Sequence, residues 1–107
     1  YDDLICNHQH IQNLPKDYAV VVPHIYVVRI DTMKNRKLLR KKLLELKIQT
    51  GIHYQPNHML SFFSDQIEFP LPITDSVFPE LLTLPLHPDL NEEDVDFVIK
   101  MLMRVFI

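Results

Sequence analysis

A chain of 107 residues is the size of one small domain and can bury about 65 per cent of its unfolded surface, so residues 1–107 are expected to share one core. With 47% hydrophobic and 23% charged residues the composition argues against disorder, and a formal net charge of -3 gives no overall attraction to nucleic acid or an anionic membrane. The single cysteine, Cys6, excludes an internal disulfide and points to a reducing, cytoplasmic setting, while no apolar run approaches a membrane span.

The chain opens Tyr-Asp-Asp, with neither the basic start of a signal peptide nor an initiating methionine, so a piece of a longer protein is expected. Residues 1–13 are polar apart from Leu4, Ile5 and Ile11 and read as the tail of a helix begun upstream, stopped by Pro15. Valine, isoleucine and tyrosine crowd residues 18–30, which predicts a strand with Pro23 as an edge or an interruption. Within it His24, Tyr26, Val28 and Ile30 alternate with Ile25, Val27 and Arg29, so one of the two faces belongs to the core. Asn35 suits the cap of a helix reaching to about Lys47. Leu39, Leu43 and Leu46 recur on one face of it, and Arg36, Lys37, Arg40, Lys41, Lys42 and Lys47 fill the others.

An extended segment is expected from Ile48 into residues 50–58. A short apolar stretch at 60–63, an irregular connection over 64–72 and a short helix starting near Thr74, limited by Pro79, follow. Residues 82–86 predict a strand that Pro85 makes either an edge strand or an irregular one. Asn91 caps the clearest helix: Glu92, Glu93 and Asp94 suit the positive end of its dipole, and Val95, Val98, Ile99, Leu102, Val105 and Phe106 form one stripe. The sequence of elements predicts an α+β domain in two layers, with helices packed on a small sheet.

Most candidate chemistry in the chain has a structural explanation. Six histidines invite a metal reading, but neither His8 with His10 nor His53 with His58 forms a familiar ligand pattern, and no cysteine pair joins them. The basic helix is the solvated side of a leucine stripe before it is a phosphate-binding face. The acids at 92–96 are explained by capping, and nothing near Cys6 predicts an activated thiolate. One glycine in the whole chain excludes a glycine-rich phosphate cradle. Residues 50–58 remain: Gly51 permits a turn, Pro56 fixes the exit, and His53, Tyr54 and His58 are more ring chemistry than a connection needs.

Thr50-Gly51-Ile52-His53-Tyr54-Gln55-Pro56-Asn57-His58, followed by Phe62-Phe63, resembles the His-Tyr-x-Pro-x-His segment of the DegT/DnrJ/EryC1/StrS family of pyridoxal-phosphate-dependent sugar aminotransferases. His24-Ile25-Tyr26-Val27-Val28-Arg29 is similar to the family's strand before its helix. Leu84-Pro85-Leu86-His87-Pro88-Asp89-Leu90 with Glu93-Asp94-Val95 is similar to its closing strand and helix. The resemblance implies the carboxy-terminal small domain of a fold-type I aminotransferase, a large cofactor-binding domain upstream, and a homodimer when complete. It implies amino transfer, usually from glutamate, to a nucleotide-linked keto sugar, with pyridoxal phosphate in the full-length enzyme and none bound to this fragment.

The same resemblance implies substrate-binding roles for His58 first, then His53 and Tyr54. No catalytic, cofactor-binding or metal-binding residue is assigned to this chain, since Lys34, Lys41 and Lys100 match no Schiff-base motif. The competing expectation is a self-standing interaction module that keeps the small-domain fold. On the fragment reading, the aliphatic residues of 18–28 and the 60–63 segment are too many for one thin core and predict an exposed apolar patch where the large domain would dock.

Overall fold

The computed structural model describes residues 1–31 and 33–106. Three short strands form one antiparallel sheet in the order β1-β2-β3, with β1 at Ile11–Asn13, β2 at Tyr26–Ile30 and β3 at Leu81–Leu84. Ile11 lies opposite Ile30, Val28 opposite Leu82, and Tyr26 opposite Leu84. The two-residue period of a strand therefore places these six side chains on one face, and all six are buried. Of the two alternating faces of β2, one of which was expected to be core, it is the Tyr26, Val28, Ile30 face that is buried.

The helices are α1 (Asp2–Ile5), α2 (Arg36–Glu45), α3 (Ser61–Ser64), α4 (Pro72–Val77) and α5 (Glu92–Phe106). Leu39 and Leu43 of α2 and Val98, Ile99 and Leu102 of α5 join the sheet face in one cluster with Ile5 and Ile48. The result is the expected α+β arrangement, helices layered on a small sheet. None of the helices among the described residues is long and apolar enough to cross a membrane.

Local chemistry fixes the ends of the two long helices. Asn35 accepts a hydrogen bond from the Leu38 amide at 2.9 Å. At the other end of α2, Lys47 takes a left-handed backbone (φ 66°), and the amides of Lys47 and Ile48 donate to the carbonyls of Leu44 and Leu43, both at 2.9 Å. This is a Schellman motif with a lysine where glycine is usual, sealed by the buried pair Leu43 and Ile48. For α5, Asn91 accepts from the Asp94 amide at 2.8 Å and Asp94 accepts from the Asn91 amide at 3.2 Å, a reciprocal capping box.

Several elements differ from the sequence reading. Residues 18–22 are not strand: 18–20 form a turn and 21–22 are irregular, with Val20 80% and Val22 92% exposed. The reason is geometric, because β1 and β3 occupy both edges of β2 and Pro23 breaks the run before it. The opening helix is four residues long and gives way to β1, which was not expected. Of the segment expected to be extended, from Ile48 into residues 50–58, only Gly51 pairs with the sheet, opposite Thr83. The 60–63 stretch contributes to α3, and α4 begins at Pro72 rather than Thr74, with proline in the first turn where no amide donor is needed. Pro79 lies in a 3-10 turn, Phe78–Glu80, and β3 ends at Leu84, at the sheet edge as Pro85 demands.

The amino-terminal residues are stitched to the sheet by Asp2. Burial alone would raise its carboxyl pKa, but hydrogen bonds from Tyr18, Tyr26 and Asn13 and the charge of Lys16 outweigh it and pull it down to about 2. Tyr1 packs its ring on Tyr26 with centroids 4.7 Å apart and donates its hydroxyl to the Pro85 carbonyl at 2.8 Å.

Candidate functional site

The ring-bearing loop leaves the fold at the free edge of β3. Gly51 and Thr83 exchange two backbone hydrogen bonds, 2.9 and 3.0 Å, so residue 51 continues the sheet for one residue before the chain departs. Two residues later His53 turns back on that bridge, with Nδ1 at 3.1 Å from Thr83 Oγ1. Its ring lies so close to residue 51 that a Cβ there would stand 2.5 Å from His53 Cε1 and 3.0 Å from Nδ1. Gly51 does not have a left-handed backbone, so the expected turn is not what requires glycine there. The requirement is close approach of an imidazole.

Tyr54 packs edge-on against His53, ring centroids 5.0 Å apart and planes at 87°, and is 73% exposed. Beside this pair runs a groove of about 310 Å³ bounded by His24, Gln49, Gly51, His53, Thr83 and Pro85. His58 goes elsewhere. It sits in the 3-10 turn Asn57–Met59, and its Nε2 donates to Asp75 Oδ1 at 2.5 Å, with the side chain only 15% exposed. The structure thus joins His53 with Tyr54 and ties His58 to α4. A carboxylate on Nε2 fixes the orientation of the imidazole and leaves Nδ1 as its second polar atom.

Sequence reasoning missed both partners that orient these histidines. Thr83 is the one polar residue in Leu81–Leu84, a signal that was available; Asp75, one residue past the expected helix start at Thr74, carries no mark of a histidine partner. The expected apolar patch is present in part. Tyr18, Val20, Val21, Val22, Phe62 and Phe63 are exposed, whereas Tyr26, Val27 and Val28 are core. Phe69 and Ile73 were not foreseen and are also exposed.

Pyridoxal phosphate needs an available lysine and a cradle for its phosphate, and the described residues do not fit it. Lys34, Lys37, Lys41, Lys42, Lys47 and Lys100 are all exposed, and Lys16 holds its amine 4.1 Å above the Tyr26 ring. Nor do any three His, Cys, Asp or Glu side chains among the described residues gather to hold a metal ion.

With that geometry in place, comparison with known proteins is decisive for the family. The model of the DegT/DnrJ/EryC1/StrS aminotransferase family matches residues 1–103. The chain belongs to this family. A curated relative, dTDP-3-amino-3,6-dideoxy-alpha-D-galactopyranose transaminase of Aneurinibacillus thermoaerophilus, is 32% identical over 96 residues, covering 89% of this chain and 25% of the relative. Among solved structures, a chain described as the sugar aminotransferase Spr1654 of Streptococcus pneumoniae, in its apo form, superposes with a TM-score of 0.86 at 26% identity, covering 98% of this chain and 28% of that one. Helicobacter pylori PseC, an aminotransferase of pseudoaminic acid biosynthesis, shares the fold at 21% identity with a TM-score of 0.79 over 99% of this chain and 30% of its own. The chain therefore spans a quarter to a third of the length of these relatives.

Proposed function

We propose that residues 1–107 are the carboxy-terminal small domain of a pyridoxal-phosphate-dependent sugar aminotransferase, and that the cofactor, its lysine and its phosphate-binding residues belong to a large domain preceding Tyr1. One observation carries this reading: a family match over residues 1–103 by a chain that spans 25% of its curated relative and whose own lysines and lone glycine make no cofactor cradle. The substrate is a nucleotide-linked keto sugar, the amino donor is glutamate, and the complete enzyme is a cytoplasmic homodimer. The dTDP-linked dideoxy sugar in the relative's name favours a deoxysugar.

In this reading His58, His53 and Tyr54 form one wall of the substrate site. The Tyr54 phenol donates a hydrogen bond to a sugar hydroxyl or phosphate oxygen, His58 Nδ1 accepts one from a sugar hydroxyl, the second nitrogen of His53 faces the same ligand, and the exposed Tyr54 ring packs on a sugar face. The apolar side chains of Val20, Val22, Phe62, Phe69 and Ile73 are covered by the large domain. The test begins with the coding frame upstream of Tyr1, where a lysine-bearing domain is expected. It continues with the complete protein, which should aminate a nucleotide-linked keto sugar at the expense of glutamate. A start codon directly before Tyr1 would withdraw the enzyme reading in favour of a self-standing interaction module.

A further inference from the structure

We propose that Arg36 and Arg40 are positioning residues that clamp the two feet of the loop carrying His53, Tyr54 and His58, an inference that rests on the substrate-wall reading of those three side chains. The two arginines stand four residues apart on α2, one helical turn, so their side chains leave the same face. Arg40 Nη2 donates to the carbonyl of Thr50 at 2.9 Å, immediately before Gly51. Arg36 Nη1 donates to the carbonyls of Phe78 at 2.5 Å and Leu81 at 3.1 Å, and its guanidinium lies 4.3 Å above the Phe78 ring. Everything between residues 50 and 78 thus departs from and returns to the fold through carbonyls held by one helix.

Each foot sets a ring. His53 meets Thr83 only while residue 51 and β3 stay in register; Arg40 holds Thr50, next to Gly51, and Arg36 holds Leu81, two residues before Thr83 at the start of β3. α4 runs directly into the 3-10 turn Phe78–Glu80, so fixing the Phe78 carbonyl also fixes Asp75 and, through it, His58. Arg29 adds to the same corner by donating to Glu80 at 2.6 Å.

Bulk positive charge does not explain the choice of arginine. Lys37, Lys41 and Lys42 supply charge on the solvent side of α2, whereas Arg36 gives both its bonds from Nη1 while its flat guanidinium lies on the Phe78 ring, a contact that a compact ammonium on a shorter stem does not reproduce. Nor is the joint arranged for stability alone: Arg40 Nε and Thr50 Oγ1 are buried there without a partner among the described residues, which weakens a fold. Burial, and then the neighbouring charge of Arg40, also disfavour the charged form of Arg36.

Amide hydrogen exchange of the protein and its Arg36→Gln, Arg36→Lys and Arg40→Lys variants tests the clamp. The amides of Met59, Leu60, Phe63 and Asp75 should exchange about tenfold faster or more, while those of Val98, Ile99 and Leu102 keep their protection. The lysine variants should fail to restore the loop, because charge remains while an ammonium one atom nearer the backbone falls short of the carbonyls and has no flat face to lay on Phe78. Uniform acceleration of loop and core would make the arginines ordinary stability residues, and wild-type exchange in the lysine variants would show that charge suffices; either overturns the proposal. If Arg36→Gln unfolds the domain, Arg40→Lys decides alone. In the complete enzyme the same variants should raise KM for the nucleotide sugar about tenfold without slowing reaction with glutamate. Absence of any nucleotide-sugar turnover by the wild type would refute the substrate reading, while the exchange result would still judge the clamp.

Discussion

Replacing Gly51 with alanine should move one side chain while leaving the fold nearly as stable as before. The new Cβ would stand 2.5 Å from His53 Cε1 and 3.0 Å from Nδ1, distances that atoms do not tolerate. What it meets is the end of a side chain at the protein surface and not backbone, so the imidazole swings away and releases Thr83 Oγ1. Losing that hydrogen bond costs about 0.5–1.5 kcal/mol. Against it, alanine narrows the unfolded ensemble and contributes about 0.4–1 kcal/mol, because the native backbone at residue 51 is not left-handed. The two effects nearly cancel, leaving a net change within about 1 kcal/mol, or less than about 4–8 °C in Tm. Urea denaturation gives the stability and the His53 ring resonances give the displacement. Thr83→Val sharpens the test by removing the bond beforehand, so that Gly51→Ala in that background should stabilise by about 0.4–1 kcal/mol. A loss above about 3 kcal/mol, or unmoved His53 resonances, would refute the close-approach explanation.

Lys47→Gly should stabilise the domain by about 1 kcal/mol in urea titrations, since Lys47 alone holds a left-handed backbone at the end of α2. Asp2→Asn should flatten the acid limb of the stability curve. The Asp2 carboxyl is depressed to about 2 from 3.8, so its contribution is complete above about pH 4 and is lost as pH falls towards 2; denaturant midpoints between those values measure it. Leu43→Ala removes a fully buried side chain from the α2 and α5 contact and should cost about 2–5 kcal/mol by the same titration. In the complete enzyme His58→Ala should weaken nucleotide-sugar turnover while cofactor absorbance and Tm stay nearly constant; lost stability with unchanged kinetics would assign the His58–Asp75 pair to packing.

The parts of the fold legible in the sequence were those set by neighbours along the chain. Asn35 and Asn91 announce their helices because a cap bonds an amide three residues away, and the stripe from Val95 to Phe106 has the helical period. β2 was visible in its alternation, but Tyr18 to Val22 share its composition without its structure, because a strand exists only where a neighbouring row offers hydrogen bonds. β1 was invisible for the same reason: three residues with one buried side chain carry no period of their own, and their partner Ile30 is 19 positions away. At the site, the rings of His53, Tyr54 and His58 stood out by residue type. Thr83, Asp75, Arg36 and Arg40, which orient or flank them, act across 10 to 45 residues of chain; Thr83 is marked only as the lone polar residue of its strand, and nothing local pairs any of the four with those rings.

Borohydride reduction of the complete protein in the presence of pyridoxal phosphate, followed by peptide mapping, addresses the central claim most directly. If residues 1–107 are a small domain beside a cofactor-binding large domain, one lysine outside this segment carries a stoichiometric label. The lysines within it then acquire only slow, scattered adducts, because none is set in a cofactor site. A single lysine within residues 1–107 labelled stoichiometrically, together with amino transfer from glutamate to a nucleotide-linked keto sugar, would contradict the account.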